Sequence, residues 1–441
     1  MRLRRWAFAL LVTPFLLVVL VTAAVAQNLS AANGAQLLQL LPDGEYKREF
    51  ILNCTGCHMP DYPLRNGWMS ADQWEARIHQ MIGSYGAQSG FPIITDGEIT
   101  ADPAALAEWL TTYWNADAVL PEPVQPAADP AVEITAYQFP GIGPHDLALE
   151  DSGTVLITGM HSGDMWRLDP QSGEFVELPL TSPAEPRALA PLGDGRWWLV
   201  FGSQRQLALY DPETGAVDRQ RIGFYAHSVG VDAQGRAWAN AHFDDDPVRV
   251  VSIAPDTGEM TFYDLPERET ALPGLPISYD LIVASDGIIW TSELVGNRIV
   301  RLDPETGQTQ AYTLPQSASG PRRFDEDRFG RLWIPEFSGG RLAVFDPETE
   351  SWREFDLPTP DCAPYIAQVD DANGRVWVAC GASNSLVRFD LETETLTEYA
   401  LPFSSALMRH MFIDPANGNV WTSTHHVPTV DDRIIRLRLL E

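Results

Sequence analysis

From residue 133 onward, apolar and polar positions alternate in short runs broken by turns, and the pattern repeats. GIIWTSELVGNRIVRLDPETGQTQAYTLP (287–315), GRLWIPEFSGGRLAVFDPETESWREFDLP (330–358) and GRVWVACGASNSLVRFDLETETLTEYALP (374–402) share one template. Weaker copies run through 145–180, 187–222 and 227–266, and a last one through 410–439, giving seven units. Repeats of about 40–50 residues with four strands each predict propeller blades. DPETG at 211–215 and 303–307 places Pro at the second turn position and Gly where a positive φ is needed, a hairpin signal. The last copy ends in RIIRLRLL without a fourth strand, while a spare EITAYQFP (133–140) precedes the first. That spare strand is expected to complete the last blade and close the ring, which leaves no exposed edge.

Before residue 116 the period changes to that of helices. DGEYKREFILNCTGCH follows Pro42, with Asp43 as an N-cap. SADQWEARIHQMIG starts at Ser70 and puts Trp74, Ile78 and Met81 on one face. TADPAALAEWLTTYW begins at Thr100 or Asp102, with Pro103 in the first turn and Leu106, Trp109, Leu110 and Tyr113 on its apolar side. The Pro- and Ala-rich stretch 116–132 reads as a stiff linker. The expected fold class is therefore α + β multidomain: a small all-α unit over 27–115, then an all-β seven-bladed propeller over 133–441.

Composition refines this. A hydrophobic share of 45% is ample for buried cores. A formal charge of −30 argues against nucleic acid and anionic lipid as partners. It fits a basic protein or a cationic small molecule, or simply solubility. Arg2, Arg4 and Arg5, the apolar run 6–22 and Ala24-Val25-Ala26 read as a signal peptide over 1–26. The other reading is an uncleaved membrane anchor. Either way the expectation is a periplasmic or secreted protein.

In that context Cys54-Thr55-Gly56-Cys57-His58 carries the most specific chemistry. Two thiols at this spacing, followed by histidine, form a c-type haem attachment motif. Cys54 and Cys57 supply thioethers and His58 the proximal iron ligand of one covalent haem c. A redox CxxC would want a βαβ context, and a zinc site a second ligand pair. Met81 is the expected sixth ligand, with Met69 and then His79 as alternatives. The helices around the motif resemble a small class I cytochrome c over 34–115, EWLTTYW standing for its closing helix.

Aligning the repeats puts His145, Arg187, His227, Tyr279, Arg322, Tyr365 and His410 at one level of the inner strands, which line a propeller's channel. Gly159, Phe201, Ala241, Glu293, Glu336, Cys380 and Thr424 end the second strands near the same mouth. Glu293 and Glu336 fall in adjacent blades. They could hold Mg²⁺ or Ca²⁺, supply a base, or pair with Arg322 and Arg187. His161, His242, His425 and His426 follow closely, so of nine histidines only His79 lies outside the mouth and the haem motif. Cys362 and Cys380 are either a disulfide or a free buried pair.

The template W-x-x-E-x-x-x-N-R-I-x-R, here Trp290 to Arg301, resembles the virginiamycin B lyase (streptogramin lyase) family. So do Pro144-His145 and EYALP at 398–402. The resemblance covers 133–441. It implies a seven-bladed propeller whose members linearise a cyclic lactone antibiotic by Mg²⁺-assisted elimination. Its last-blade base histidine matches His410. A second family histidine falls at Tyr365, an expected Glu at Met408, and the last-blade carboxylate at Thr424 or His425. Three functions follow as expectations. The first is an exported monohaem cytochrome whose propeller binds a small molecule or an electron donor or acceptor protein. The second is a metal-assisted carbon–oxygen lyase with His410 or His227 as base. The third is a non-catalytic docking module.

Overall fold

The computed structural model describes residues 32–53, 59, 61–81, 102–118, 131–181, 183–243, 247–268, 276–402, 407–425 and 431–440. The expected signal segment, Cys54, Cys57, His58, His426 and most of the expected linker lie outside the described residues.

Seven four-stranded antiparallel sheets form the ring. Six are continuous stretches of chain. The seventh joins Met411–Ile413, Val420–Thr424 and Arg433–Leu439 to the earliest strand, Val132–Gln138. That strand lies outermost, with Val132 opposite Leu439 and Gln138 opposite Arg433. The spare N-terminal strand thus closes the ring, as its sequence predicts.

Burial explains the template. Second strands such as Trp197–Phe201 are buried throughout, because each sheet is covered on both faces by its neighbours. Fourth strands such as Ala216–Arg221 alternate and face water. Trp198, Trp238, Trp333 and Trp377 fill the space between sheets. The indole N–H groups of Trp238 and Trp333 each donate to an aspartate, Asp232 and Asp327, at 2.8 Å. The same carboxylates accept from Arg236 and Arg331, so D-x-x-G-R-x-W is a small polar clasp at the hairpin. In the DPETG turns, Gly215 and Gly307 take φ of 72° and 71°.

Blade five departs from the pattern. Its inner strand is reduced to Asp325–Glu326. Upstream, the Arg323 backbone turns to the next blade, donating its N–H to Tyr365 O at 3.2 Å and accepting from Ala367 N at 2.9 Å.

Among the described residues four α-helices precede the ring: α1 (Gly34–Leu38), α2 (Glu45–Asn53), α3 (Ala71–Gln80) and α4 (Pro103–Tyr113). Ser70 caps α3 in a reciprocal box with Gln73, and Asp102 caps α4 with Pro103 in the first turn. Helix α2 starts at Glu45, past Gly44, rather than being capped by Asp43. The Asp43 carboxylate instead takes Lys47 Nζ at 3.0 Å. Helix α4 buries Leu106, Ala107 and Leu110, leaving Tyr113 exposed and Trp109 stacked on Tyr46.

The helices do not stand apart from the propeller. Ala35 N donates to Ala382 O at 3.0 Å and Gln39 Nε2 to Pro360 O at 3.1 Å. Lys47 Nζ meets Asp361 at 2.5 Å. One apolar core joins Leu38, Phe50, Leu52, Met59 and Leu110 to Ile277, Leu294, Phe337 and Tyr365. The helical unit therefore packs on the propeller's mouth. Cys362 and Cys380, fully buried at that end of blade six, bring their sulfurs to 2.6 Å.

Candidate functional site

The inner strands do not run straight past the channel. Their pairing with the second strands slips at the third residue or earlier, between Pro144 and Leu147, Pro186 and Leu189, Ala226 and Val229, Ser278 and Asp280, and Pro364 and Ile366. His145, Arg187, His227, Tyr279 and Tyr365 each sit inside one of these bulges. A bulge re-aims a side chain, here out of the ladder and toward the axis.

The predicted ring does come together. The His145 and His227 rings lie 5.8 Å apart, and His227 packs at 4.4 Å on Tyr279 and 4.5 Å on His242. Arg322 lies over Phe337, Tyr365 and Tyr279 at 3.7, 4.3 and 4.6 Å, and donates to Tyr279 Oη at 2.9 Å. Tyr279 and Tyr365 share a hydroxyl–hydroxyl hydrogen bond. Arg187 hydrogen-bonds the Tyr225 hydroxyl, which donates to Glu185 at 3.2 Å. His410 is only half-buried and stands 3.8 Å from Asp146.

The histidines are oriented from behind. His145 Nδ1 meets Asp146 Oδ1 at 2.7 Å, His227 Nδ1 meets Ser228 Oγ at 3.2 Å, and His242 Nδ1 meets the Ser278 carbonyl at 2.7 Å. A carboxylate or carbonyl can only accept, so His145 and His242 carry their proton on Nδ1 and a lone pair on Nε2. Ser228 Oγ donates onward to Asp280 at 2.7 Å and so accepts from His227 in the same sense. The buried Nε2 atoms of His145 and His227 have no hydrogen-bond partner. His410 is arranged differently. Its Nδ1 accepts from Leu147 N at 3.4 Å, which points the protonated Nε2 toward Asp146.

The electrostatics follow from burial and from the arginines. Burial first, then Arg187, holds His145, His227 and His242 well below the usual imidazole range. Burial brings His410 down to about 4. Burial alone would raise the Tyr365 hydroxyl, but Arg322 and Arg409 bring it below its ordinary value, while Tyr279 is raised by burial. Tyr279 is thus the donor of that pair. Burial would likewise raise Asp146, yet Arg323, His410 and the His145 bond hold it well below the carboxylate range.

Of the two carboxylates expected to bind a divalent cation, Glu293 is held by an arginine and Glu336 lies beside a second carboxylate. Arg298 grips Glu293 at 2.7 and 3.0 Å and donates to the carbonyls of Pro266 and Glu267, tying a loop to blade four. Glu336 is buried beside Glu354, and burial with that neighbour pushes its carboxyl up to about 8. Among the described residues no three His, Cys, Asp or Glu side chains converge on a metal position. Met81 is half-buried at the end of α3, whereas Met69 packs against the shared core.

The sequence reading missed Asp146, Ser228, Asp280 and Arg323. Each directly follows a ring residue, and for Asp146, Ser228 and Asp280 a polar side chain at a buried strand position was itself a signal. It also missed Tyr225, Glu185 and Arg409.

Fold and channel define a closed seven-bladed propeller with a buried His–Tyr–Arg site. Residues 132–430 match the virginiamycin B lyase family, and the chain belongs to it. The structure of virginiamycin B lyase from Staphylococcus aureus is similar, at 21% identity and a TM-score of 0.62, covering 70% of this chain and all of that one. A streptogramin B lyase structure gives 22% identity and 0.62 over 70% of this chain and 98% of its own. So does a catalytically inactive histidine-to-alanine variant of the S. aureus enzyme with quinupristin, at 20% and 0.62, with 70% and 100% covered. At these identities the likeness shows the fold. No curated protein matches the chain.

Proposed function

We propose that this chain is a carbon–oxygen lyase in which the propeller channel performs proton transfer. One observation carries the reading: His145 and His227 present buried, unpartnered Nε2 atoms, each fixed through Nδ1, beside a tyrosine hydroxyl and a guanidinium. A neutral imidazole held in one tautomer is a proton acceptor, and an aspartate behind it both orients it and stabilises the imidazolium. His145 with Asp146 meets both conditions. His227 with Ser228 is the second acceptor, and His410 fits less well because its Nδ1 lone pair already accepts from Leu147 N and its Nε2 carries the proton.

The step balances without a redox partner. The histidine takes the proton α to a substrate carbonyl, and the C–O bond at the β carbon breaks. A C=C bond forms, and the leaving oxygen receives a proton from Tyr279. Arg322 holds the charge that develops on the carbonyl oxygen. A cyclic lactone or a related ester is opened this way. The test is His145→Ala and His227→Ala assayed for a new conjugated double bond by ultraviolet absorbance, with and without a chelator. Loss of about 100-fold or more in kcat supports the reading. Full activity in both variants overturns it. Sensitivity to the chelator would return the electrophile's role to a divalent cation.

A second reading is favoured by Leu52 and Met59, which flank the Cys54–His58 motif and are both buried in the core shared with Tyr365. On this reading Cys54 and Cys57 hold haem c, His58 is its iron ligand, and Met81 or Met69 is the opposite one. When bound, the haem supplies one-electron transfer. The protein is then exported, exchanges electrons with a partner protein outside the cytoplasm, and touches the membrane only if the signal segment is retained. A c-type spectrum after expression with haem maturation supports it, and its absence sinks it.

A further inference from the structure

We propose that the channel site takes a carboxylate-bearing ligand, its anionic group held by the arginine cluster of blades two, five and seven rather than by a metal. This deepens the lyase reading and rests on it.

The chain is strongly acidic overall, with a formal charge of −30, yet the channel lining is the reverse. Arg187, Arg322, Arg323 and Arg409 are 3%, 1%, 4% and 4% exposed. Asp146 and Asp280 both act on Arg323, and Glu185 acts on Arg187. Arg409 is different. No carboxylate pairs with it among the described residues, and its buried Nε has no hydrogen-bond partner. Its charge is felt at Tyr365 and at His161. Leaving an arginine buried without an anion is costly, because its hydration is lost and nothing replaces it.

The neighbouring neutral groups point the same way. His145, His227 and His242 stay uncharged chiefly through burial and Arg187, so they add no positive charge that would keep the site from a substrate's apolar part. The faces of Tyr225, Tyr279, Phe337 and Tyr365 wall the guanidiniums. The site therefore offers planar, charge-assisted donors for a carboxylate, an aromatic surface for the carbon skeleton, and two lone pairs for a proton. A divalent cation would face three or more guanidiniums. Such a ligand also suits the elimination chemically. A carboxylate on the carbon that loses its proton raises that carbon's pKa unless arginine neutralises it, and this lining does so.

The experiment is calorimetric titration of the full mature chain with succinate and with citrate, at low and high salt. Dimethyl succinate and MgCl₂ alone serve as comparisons. Carboxylate binding that weakens with salt, is absent for the diester, and falls about tenfold or more in Arg409→Gln while recovering partly in Arg409→Lys is the expected result. Equal binding of the acid and its diester, or binding of Mg²⁺ alone with none of either acid, overturns the proposal. The comparison of acid with diester uses the unaltered protein, so it stands even if Arg409→Gln fails to fold. The two readings fail separately. Carboxylates that bind while no β-alkoxy acid is ever eliminated would remove the lyase reading and keep the anion site. Elimination of a neutral lactone with no carboxylate binding would do the opposite.

Discussion

Arg323 and Asp146 lie 177 positions apart in sequence, on nearly opposite blades, and meet across the channel. Nη1 stands 3.1 Å from Oδ2 and Nη2 2.9 Å from Oδ1. The pair exists because the Arg323 backbone leaves its own blade for the next one, which carries its side chain to the axis. Both residues are nearly fully buried. Arg323→Met should therefore destabilise by about 3–5 kcal/mol, since Asp146 would be left buried with its charge. Asp146→Asn with Arg323→Met should recover part of that loss. Urea unfolding of the two variants measures it. A single substitution that costs nothing would show the pair to be dispensable.

The same site makes stability depend on pH in a defined direction. His145, His227 and His242 have folded pKa values well below the ordinary 6.5, and His410 about 4. Below pH 6.5 the unfolded chain binds protons that the folded one refuses, so stability rises with pH across that window and is lost as pH falls through it. Each such histidine contributes a slope of up to about 1.4 kcal/mol per pH unit. Urea midpoints should fall steadily from pH 7 toward pH 4, and His227→Gln should flatten the curve by about one histidine's share. Asp146 adds a separate loss at lower pH. Its folded pKa is depressed, so its contribution is present above pH 3.8 and declines below it.

The hairpin turns allow a repeat-to-repeat comparison. Gly307 and Glu350 hold the same place in the DPETG and DPETE copies, with φ of 71° and 51°. A side chain in this region costs roughly 1 kcal/mol. Glu350 accepts from Gln310 and Tyr312 at 3.2 and 3.3 Å, but at an exposed edge, where such bonds are worth little. Glu350→Gly should stabilise by about 0.5–1 kcal/mol, and Gly307→Glu should destabilise by a similar amount. Opposite signs in chemical denaturation confirm the account, and equal signs refute it.

How legible was all this in the sequence? The ring was, because a two-residue alternation and a forty-residue repeat leave little freedom, and the unpaired RIIRLRLL and EITAYQFP had only each other as partners. The level of His145, Arg187, His227, Tyr279, Arg322 and Tyr365 followed from register. What did not follow was anything set by departures from register. The Arg323 crossover depends on blade five giving up most of its inner strand, which a template aligned over Trp333 does not show. The grip of Arg298 on both oxygens of Glu293, its cross-strand neighbour, was likewise not legible from spacing. The packing of helices on the mouth was invisible for another reason. Leu38, Phe50 and Leu52 read equally well as the core of a separate unit.

That packing has a polar pin that can be pulled. Lys47, with 4% of its side chain exposed, bridges Asp361 of the propeller to Asp43, which is itself almost fully in water. Asp43 can return to solvent at no cost, so the bond that matters is the one to Asp361. Burial pushes the Asp361 carboxyl up and Lys47 counters it. Lys47→Met keeps the stem's apolar contacts and removes only the charge, leaving Asp361 to protonate or to open the interface. The cost should be about 1–3 kcal/mol and should fall on the interface rather than on the ring. Hydrogen exchange can read this residue by residue. The Ala35 amide, bonded to Ala382 O, should lose protection, while amides of Val420–Thr424 on the closing blade should not change. Unchanged protection at Ala35 would mean that the apolar core alone, from Leu38 to Leu52, holds the helices over the mouth.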